Sequence, residues 1–337
     1  MWGTPGQCPG APLILIFIND MPPNINLRTL LFADDTSYQN CHTNLDSLIQ
    51  DTNYQLNIAS DWFAANKLSL NISKTKFIIF TPPGKPKPNV TNLNIGNFPI
   101  ERISKTSKIK AYKYVGIWID DELNWSIHLS KVLGKISAGS YAIARSKHLL
   151  PLYARLNIYH ALVKSHLDYG LLAWSCAPPN LLSKAATIQK SSLRHVSKKL
   201  FNSHSEPLFK KLNIIKLYDL IRIQRAKFMF QLSMDNLPVI CSTICTPLHN
   251  FNRTRNYFLH KVSNKSLQNS TSHNLITNWN KMVSLADKNL ACLKQNPPGK
   301  QQINHLKLFE TSLRQQTLAK YMSSIKCKNS YCQDCNP

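Results

Sequence analysis

The sequence predicts an α+β protein, in which an antiparallel sheet backed by one helix is followed by an all-helical remainder. Three observations predict it. Short apolar runs rich in β-formers, separated by turn residues, recur up to Ile119. One segment among them, Leu45 to Phe63, carries a clear helical stripe. Beyond Asp120-Asp121 the apolar spacing is almost entirely helical.

The elements follow in order. The Gly- and Pro-rich start, through Pro12, reads as a loop. Leu13 to Ile18 is a buried strand or helix segment, too short for periodicity to decide between them. Leu30-Leu-Phe-Ala33 is a short apolar run ending in Asp34-Asp35. On the Leu45–Phe63 helix, Leu45, Leu48, Ile49, Leu56, Ala59 and Phe63 share one face, with Thr43 or Asn44 as the starting cap and Asn66 at the exit. A strand over Lys76–Phe80 runs into the Pro-rich loop Pro82–Pro88. A hairpin over Leu93–Ile103 turns near Gly96-Asn97, and Tyr114–Ile119 is a further strand.

In the helical part, the helix Ile127–Arg145 places Leu129, Val132, Leu133, Ile136, Ser140 and Ile143 on one face, with Lys131, Lys135 and Arg145 opposite. A second helix runs from Pro151 to Trp174, with Pro151 at its first turn. Others are expected over 181–200, 207–232, 274–293 and 301–325, and the Asn/Ser-rich stretch 261–274 reads as a linker.

Charge narrows the function. Lys plus Arg number 41 against 17 Asp plus Glu, a net +24, which favours a polyanionic partner, nucleic acid or an anionic membrane surface, over a merely soluble basic protein. No apolar run reaches the ~18 residues of a membrane span, so an intracellular protein of nucleus or cytoplasm is expected, neither secreted nor membrane-bound. The nine cysteines are scattered and read as reduced thiols. Cys327, Cys332 and Cys335 lack a fourth ligand nearby, so zinc is not expected.

Adjacent carboxylates at a strand end raise each other's pKa unless a cation neutralises them. A hard divalent ion such as Mg²⁺ does so with carboxylate oxygen, whereas the bland alternative for Asp34-Asp35 is a solvated turn.

The surrounding boxes resemble the reverse transcriptases of non-long-terminal-repeat (LINE-type, Jockey-like) retrotransposons. Gly3-Thr-Pro5 and Pro12 to Pro22 resemble the family's G-x-P-Q-G…G-P-L-L-F…I-N-D-L-P segment. Leu31-Phe-Ala-Asp-Asp-Thr36 is similar to its F/Y-A-D-D box, and Leu70-Asn-Ile-Ser-Lys-Thr-Lys76 to its L-N-x-x-K-T-K segment. Tyr114-Val-Gly116, Asp120, Leu123-Asn-Trp125 and His128 resemble the Y-L-G…D…L-x-W-x-x-H stretch, and Tyr169-Gly170 with Trp174 recur downstream. Thr254-Arg-Asn256, Trp279-Asn280 and Phe309 resemble the family's C-terminal region.

The resemblance implies a partial polymerase palm over 1–120, a helical thumb over 121–200, a C-terminal helical region over 201–325 and a Cys-containing tail over 326–337. It implies Asp34 and Asp35 as ligands of Mg²⁺ or Mn²⁺, and Lys74 near the triphosphate of an incoming dNTP. Phe32, Tyr114 and Gly116 would lie near the primer terminus. Lys131, Lys135 and Arg145 would touch the phosphates of an RNA–DNA or DNA duplex formed on an RNA template.

Two departures matter. The family's first catalytic aspartate, on an earlier strand, has no counterpart here, and Pro5-Gly6-Gln7-Cys8 with Ala11 alters the Pro-Gln-Gly box. The expectation is therefore a truncated RNA-directed DNA polymerase, inactive alone. The alternatives are a non-catalytic nucleic-acid-binding remnant of a decayed or domesticated element, or an open reading frame without function.

Overall fold

The structure, a computed structural model, describes residues 16–33, 35–81, 88, 90, 93–234, 236–238, 241, 271–280 and 302–323. The chain divides into two compact units: Met1–Tyr114 with Asp120–Leu123, and Val115–Ile119 with Asn124–Pro337. The Gly/Pro-rich start, residues 261–270 of the expected linker, residues 281–293 of the helix expected there and the cysteine tail lie outside the described residues, whereas residues 271–274 of that linker are helical, a correction.

In the first unit, β1 (Arg28–Phe32) and β2 (Asp35–Gln39) form an antiparallel pair. Helix α1 (Leu45–Ala65) follows. Asn44 is its cap, its side-chain oxygen accepting from the Asp46 N–H at 2.8 Å. Strands β3 (Lys76–Ile78), β4 (Leu93–Ile95) and β5 (Phe98–Ile103) make a second sheet in the order β3-β5-β4. The expected hairpin is the antiparallel β4–β5 pair, turning at Gly96 and Asn97. Contrary to a wholly antiparallel sheet, β3 pairs parallel to β5. Parallel partners need a crossover, and residues 79–97 lie between the two strands in sequence. Two small cores result. Met21, Ile25, Leu27, Ala59 and Phe63 bury together, as do Leu56, Ile95 and Ile100. Of the Leu13–Ile18 segment, Ile16 to Ile18 are helical, and only Ile18 of these is buried, so a wholly buried run is corrected.

Strand β6 (Tyr112–Tyr114) belongs to the first unit and β7 (Ile117–Ile119) to the second. The continuous Tyr114–Ile119 strand is thus corrected: Val115 and Gly116 take φ of 43° and 81°, which breaks an extended run.

The second unit is helical: α2 (Ser126–Ser146), α3 (Leu152–Tyr159), a π-turn (His160–Lys164), α4 (Ser165–Asp168), α5 (Leu171–Trp174), α6 (Pro179–Val196), α7 (Glu206–Lys211) and α8 (Leu217–Ser233). Helices α9 (Thr271–Asn280) and α10 (Gln302–Ser323) complete the described part. The expected helix Pro151–Trp174 is interrupted twice. At the first interruption, the π-turn lies against Gly139 of α2, where an added Cβ would meet the Leu162 carbonyl oxygen at 2.8 Å. At the second, Gly170 takes φ 62°. The expected helix 207–232 is split by Leu212 to Lys216, with Asn213 at φ 54°.

One core joins α2, α3, α6, α7, α8, α9 and α10, with Leu129, Ile136, Ile143, Tyr159, Phe209 and Trp279 among its buried members. Phe230 stacks on Phe309 with ring centroids 4.4 Å apart, tying α8 to α10. Gln189 of α6 is buried among them. Its amide N–H donates to the Tyr159 hydroxyl at 3.1 Å and to the Ile215 carbonyl at 3.0 Å, and its oxygen accepts from the Leu217 N–H at 2.9 Å. No described helix is long and apolar enough to cross a membrane.

Candidate nucleic-acid and metal site

The Asp-Asp segment sits on the β1–β2 hairpin. Cross-strand partners run from Arg28↔Gln39 to Phe32↔Asp35, and Ala33, just past β1, takes φ 53°. Asp34 itself lies outside the described residues. Period-two alternation gives the hairpin two faces. Leu31 and Tyr38 pack on the core of Met21 and Ala59. The opposite face carries Arg28, Leu30, Phe32, Asp35 and Gln39, of which Phe32 is 59% exposed. Phe32 and Asp35 therefore point to the same open side. Burial pushes the Tyr38 hydroxyl up to about 12, so it is a neutral packing group hydrogen-bonded to the Met21 sulfur at 3.3 Å.

Carboxylate oxygen is the donor class that a hard divalent cation takes. Among the described residues, however, no group of three His, Cys, Asp or Glu could hold a metal ion. The described donors therefore do not make a complete metal site.

Lys74 stands exposed in a tight turn that Asn71 organises. The Asn71 side-chain oxygen accepts from the Lys74 N–H at 3.2 Å and from the Ser73 hydroxyl at 2.8 Å. The Lys74 carbonyl accepts from the Tyr112 hydroxyl at 3.3 Å. Sequence reasoning singled out Lys74 and missed Asn71, although an Asn two to three residues before polar neighbours is a turn signal. Tyr114 is half-buried at the end of β6.

In the second unit, Gly116 meets Tyr169: a Cβ at Gly116 would stand 3.0 Å from the Tyr169 ring. The Tyr169 hydroxyl donates to the Val115 carbonyl at 2.5 Å, fixing the strained turn. Gly170 has the same tightness, since a Cβ there would meet Ile117 at 2.5 Å. The Tyr-Val-Gly and Tyr-Gly boxes, far apart in sequence, are thus one clasp.

Lys131, Lys135 and Arg145 are exposed on α2, opposite its buried face of Leu129, Val132, Ile136 and Ile143. Lys131 lies 5.7 Å over the Trp118 ring. There is no Asp or Glu from Leu123 to Leu167, so nothing on α2 offsets these cations.

His128 lies inside. Its Nδ1 accepts from the Trp118 N–H at 3.3 Å, while Nε2 is buried without a partner. Burial, and then the charge of Lys135, hold its pKa below the ordinary value. His160, His166 and His195 are lowered in the same way, burial first and nearby cations next. A depressed folded-state pKa means the folded chain binds fewer protons than the unfolded one. Stability is therefore full above the unfolded value of about 6.5 and falls as pH drops through it toward the folded values. The melting temperature is expected to be lower at pH 5.5 than at pH 7.5, with a shallower fall in His128→Asn. A rise on acidification would refute this.

No protein-family model matches this chain, and no solved structure does. Two curated relatives do. The chain is 24% identical over 245 residues to the RNA-directed DNA polymerase from mobile element jockey of Drosophila melanogaster, covering 69% of this chain and 26% of that protein. It is 25% identical over 238 residues to the "Probable RNA-directed DNA polymerase from transposon X-element" of the same fly, covering 67% of this chain and 25% of that protein. The chain is related to reverse transcriptases. Within them, its relatives are the polymerases of non-LTR retrotransposons, and it spans about a quarter of their length.

Proposed function

We propose that this chain carries the Asp-Asp hairpin and the nucleic-acid-binding helices of an RNA-directed DNA polymerase. On this reading the first unit is part of the palm and α2 with its neighbours the thumb. The observation that carries it is the hairpin whose last cross-strand pair is Phe32↔Asp35, with Phe32 on the same open face as Asp35. The relationship to two polymerases agrees with it. Asp34 and Asp35 are then the ligands of Mg²⁺ or Mn²⁺, and Lys74 faces the triphosphate. Lys131, Lys135 and Arg145 hold the duplex by its phosphates, which positions it without reading sequence.

Two-metal nucleotidyl transfer needs ligands that clamp both ions from more than one side. One carboxylate turn does not do so, and these 337 residues by themselves are expected to bind template-primer without extending it. The test is twofold. The chain should bind an RNA–DNA hybrid with an affinity that falls steeply with salt. A primer on an RNA template with dNTPs and Mg²⁺ or Mn²⁺ should stay unextended. Extension that Asp34→Ala abolishes would overturn the inactive reading, and salt-insensitive or absent hybrid binding would overturn the assignment as a whole.

A further inference from the structure

Exposed apolar side chains gather at one end of the α2–α6 pair. These helices pack against each other, and Lys147 lies close enough to His195 to act on its charge, which puts their C-terminal ends side by side. The turn leaving α2 exposes Leu149 (84%), the first turn of α3 exposes Tyr153 (71%), and the segment leaving α6 exposes Leu200 (74%) and Phe201 (87%).

Both segments are held in shape. Arg155 is buried and donates to the Lys147 carbonyl at 2.6 Å, and the Leu149 and Leu150 N–H groups both reach the Ser146 carbonyl at 3.0 Å. Beyond α6, Arg194 donates to the Ser203 carbonyl at 2.8 Å, and the Lys199 N–H returns to the Arg194 carbonyl at 2.9 Å. Lys198 takes the left-handed φ of 55° that turns the chain there. Leu149, Leu200 and Phe201 are therefore presented on braced turns, and Tyr153 on the first turn of α3.

Their surroundings are cationic. Lys147, Lys198 and Lys199 lie beside them in sequence. From Leu123 to Ser205 the only acidic residue is Asp168, and it pairs with Lys164. Aromatic rings held among cations match the needs of unpaired nucleic acid: π-faces for bases and positive charge for phosphates. An uncharged protein partner would not call for the cations. A membrane-surface segment would call for an amphipathic helix, whereas Leu149, Leu200 and Phe201 stand outside helices.

We propose that this end of the α2–α6 pair is a binding surface for single-stranded nucleic acid, in which Tyr153 and Phe201 stack on unpaired bases. The proposal rests on the reading that the chain binds nucleic acid, but concerns a surface other than the Lys131–Lys135–Arg145 face assigned to duplex. It gives the chain a second contact, suited to template that has not yet paired.

The test compares two labelled probes, a short single-stranded RNA and an RNA–DNA hybrid, on the full chain. Tyr153→Ala and Phe201→Ala are each expected to weaken single-strand binding about 5- to 150-fold, the loss found for removal of one stacking ring. Hybrid affinity and melting temperature should stay at their original values, because both side chains are exposed. Phe201→Trp should retain the affinity and report the RNA by quenching of its indole fluorescence. Unchanged single-strand affinity in both alanine variants would overturn the proposal. So would equal losses on both probes, or a loss confined to anionic phospholipid vesicles offered in place of RNA. Should the hybrid fail to bind while the single strand binds through the two rings, the duplex reading falls and the stacking surface stands.

Discussion

Gln189→Leu is expected to lower the unfolding free energy by about 3 kcal/mol or more, the largest stability effect of any single change considered for this chain. Leucine matches the volume and suits the helix, so neither packing nor propensity explains such a loss. The loss arises from what the amide leaves behind. Gln189 is 2% exposed and serves three partners: the Tyr159 hydroxyl, the Ile215 carbonyl and the Leu217 N–H at the start of α8. None of these groups gains water when the amide is gone. An unpaired buried polar group costs about 1–3 kcal/mol, and the backbone pair has no alternative inside the core. Burial already pushes the Tyr159 hydroxyl well above its ordinary pKa, so it does not ionise to recover solvation. For a unit of this size the change corresponds to a fall in melting temperature of roughly 6–12 °C. Gln189→Glu keeps the shape and accepts from Leu217, but loses the donor and buries a charge, and should be no better. A thermal melt showing leucine within about 1 kcal/mol of the parent would mean the three bonds are not a unit.

That hub marks where sequence reading stops. The stripe Leu182, Ala185, Gln189, Ser192, Leu193 and Val196 is visible at helical spacing, and it places Gln189 on the inner face. Nothing local states that its partners are Tyr159 and the Ile215–Leu217 turn, because those contacts span 26 to 30 residues. Helix α1 was legible to its cap because capping and amphipathicity are both local. So was the face of α2, where buried and cationic residues alternate at the helical period. The strand Tyr114–Ile119 was misread because the apolar run hides Val115, a β-branched residue held at φ 43° by a bond from Tyr169. The Pro151–Trp174 helix was misread for a related reason. A single Gly170 in an apolar run does not announce a left-handed break, and the π-turn answers to Gly139 on another helix. The parallel β3–β5 pair was missed since strand order is not written in alternation. At the candidate site, the boxes themselves were legible as sequence. Their grouping was not: Tyr169 reaches back to Val115 across 54 residues, and the Asn71 turn that presents Lys74 emerges only from its hydrogen bonds.

The cationic face of α2 decides between a working surface and a solvated one. In Lys131→Ala/Lys135→Ala/Arg145→Ala, the affinity for an RNA–DNA hybrid is expected to fall roughly a thousandfold at low salt, about tenfold per lost phosphate contact. The more telling quantity is the salt dependence. Each cation that displaces a counterion contributes about 0.9 to the slope of log affinity against log salt, so losing three should flatten it by roughly 2.7. Stability moves little, because all three side chains are exposed and alanine suits a helix, although Arg145 in the last turn gives up a favourable interaction with the helix dipole. An internal marker shows that the fold has held. The Lys135 charge helps to depress the pKa of both His128 and His166, so its removal should let both titrate closer to the ordinary histidine range, with burial still holding them below it. Lys210→Ala/Lys211→Ala on α7 removes two exposed cations from a different helix and should leave the slope within one contact of the parent. If α2 is only a solvated face, the triple variant loses no more than this control, net charge alone governs binding, and the duplex-holding role assigned to α2 is wrong.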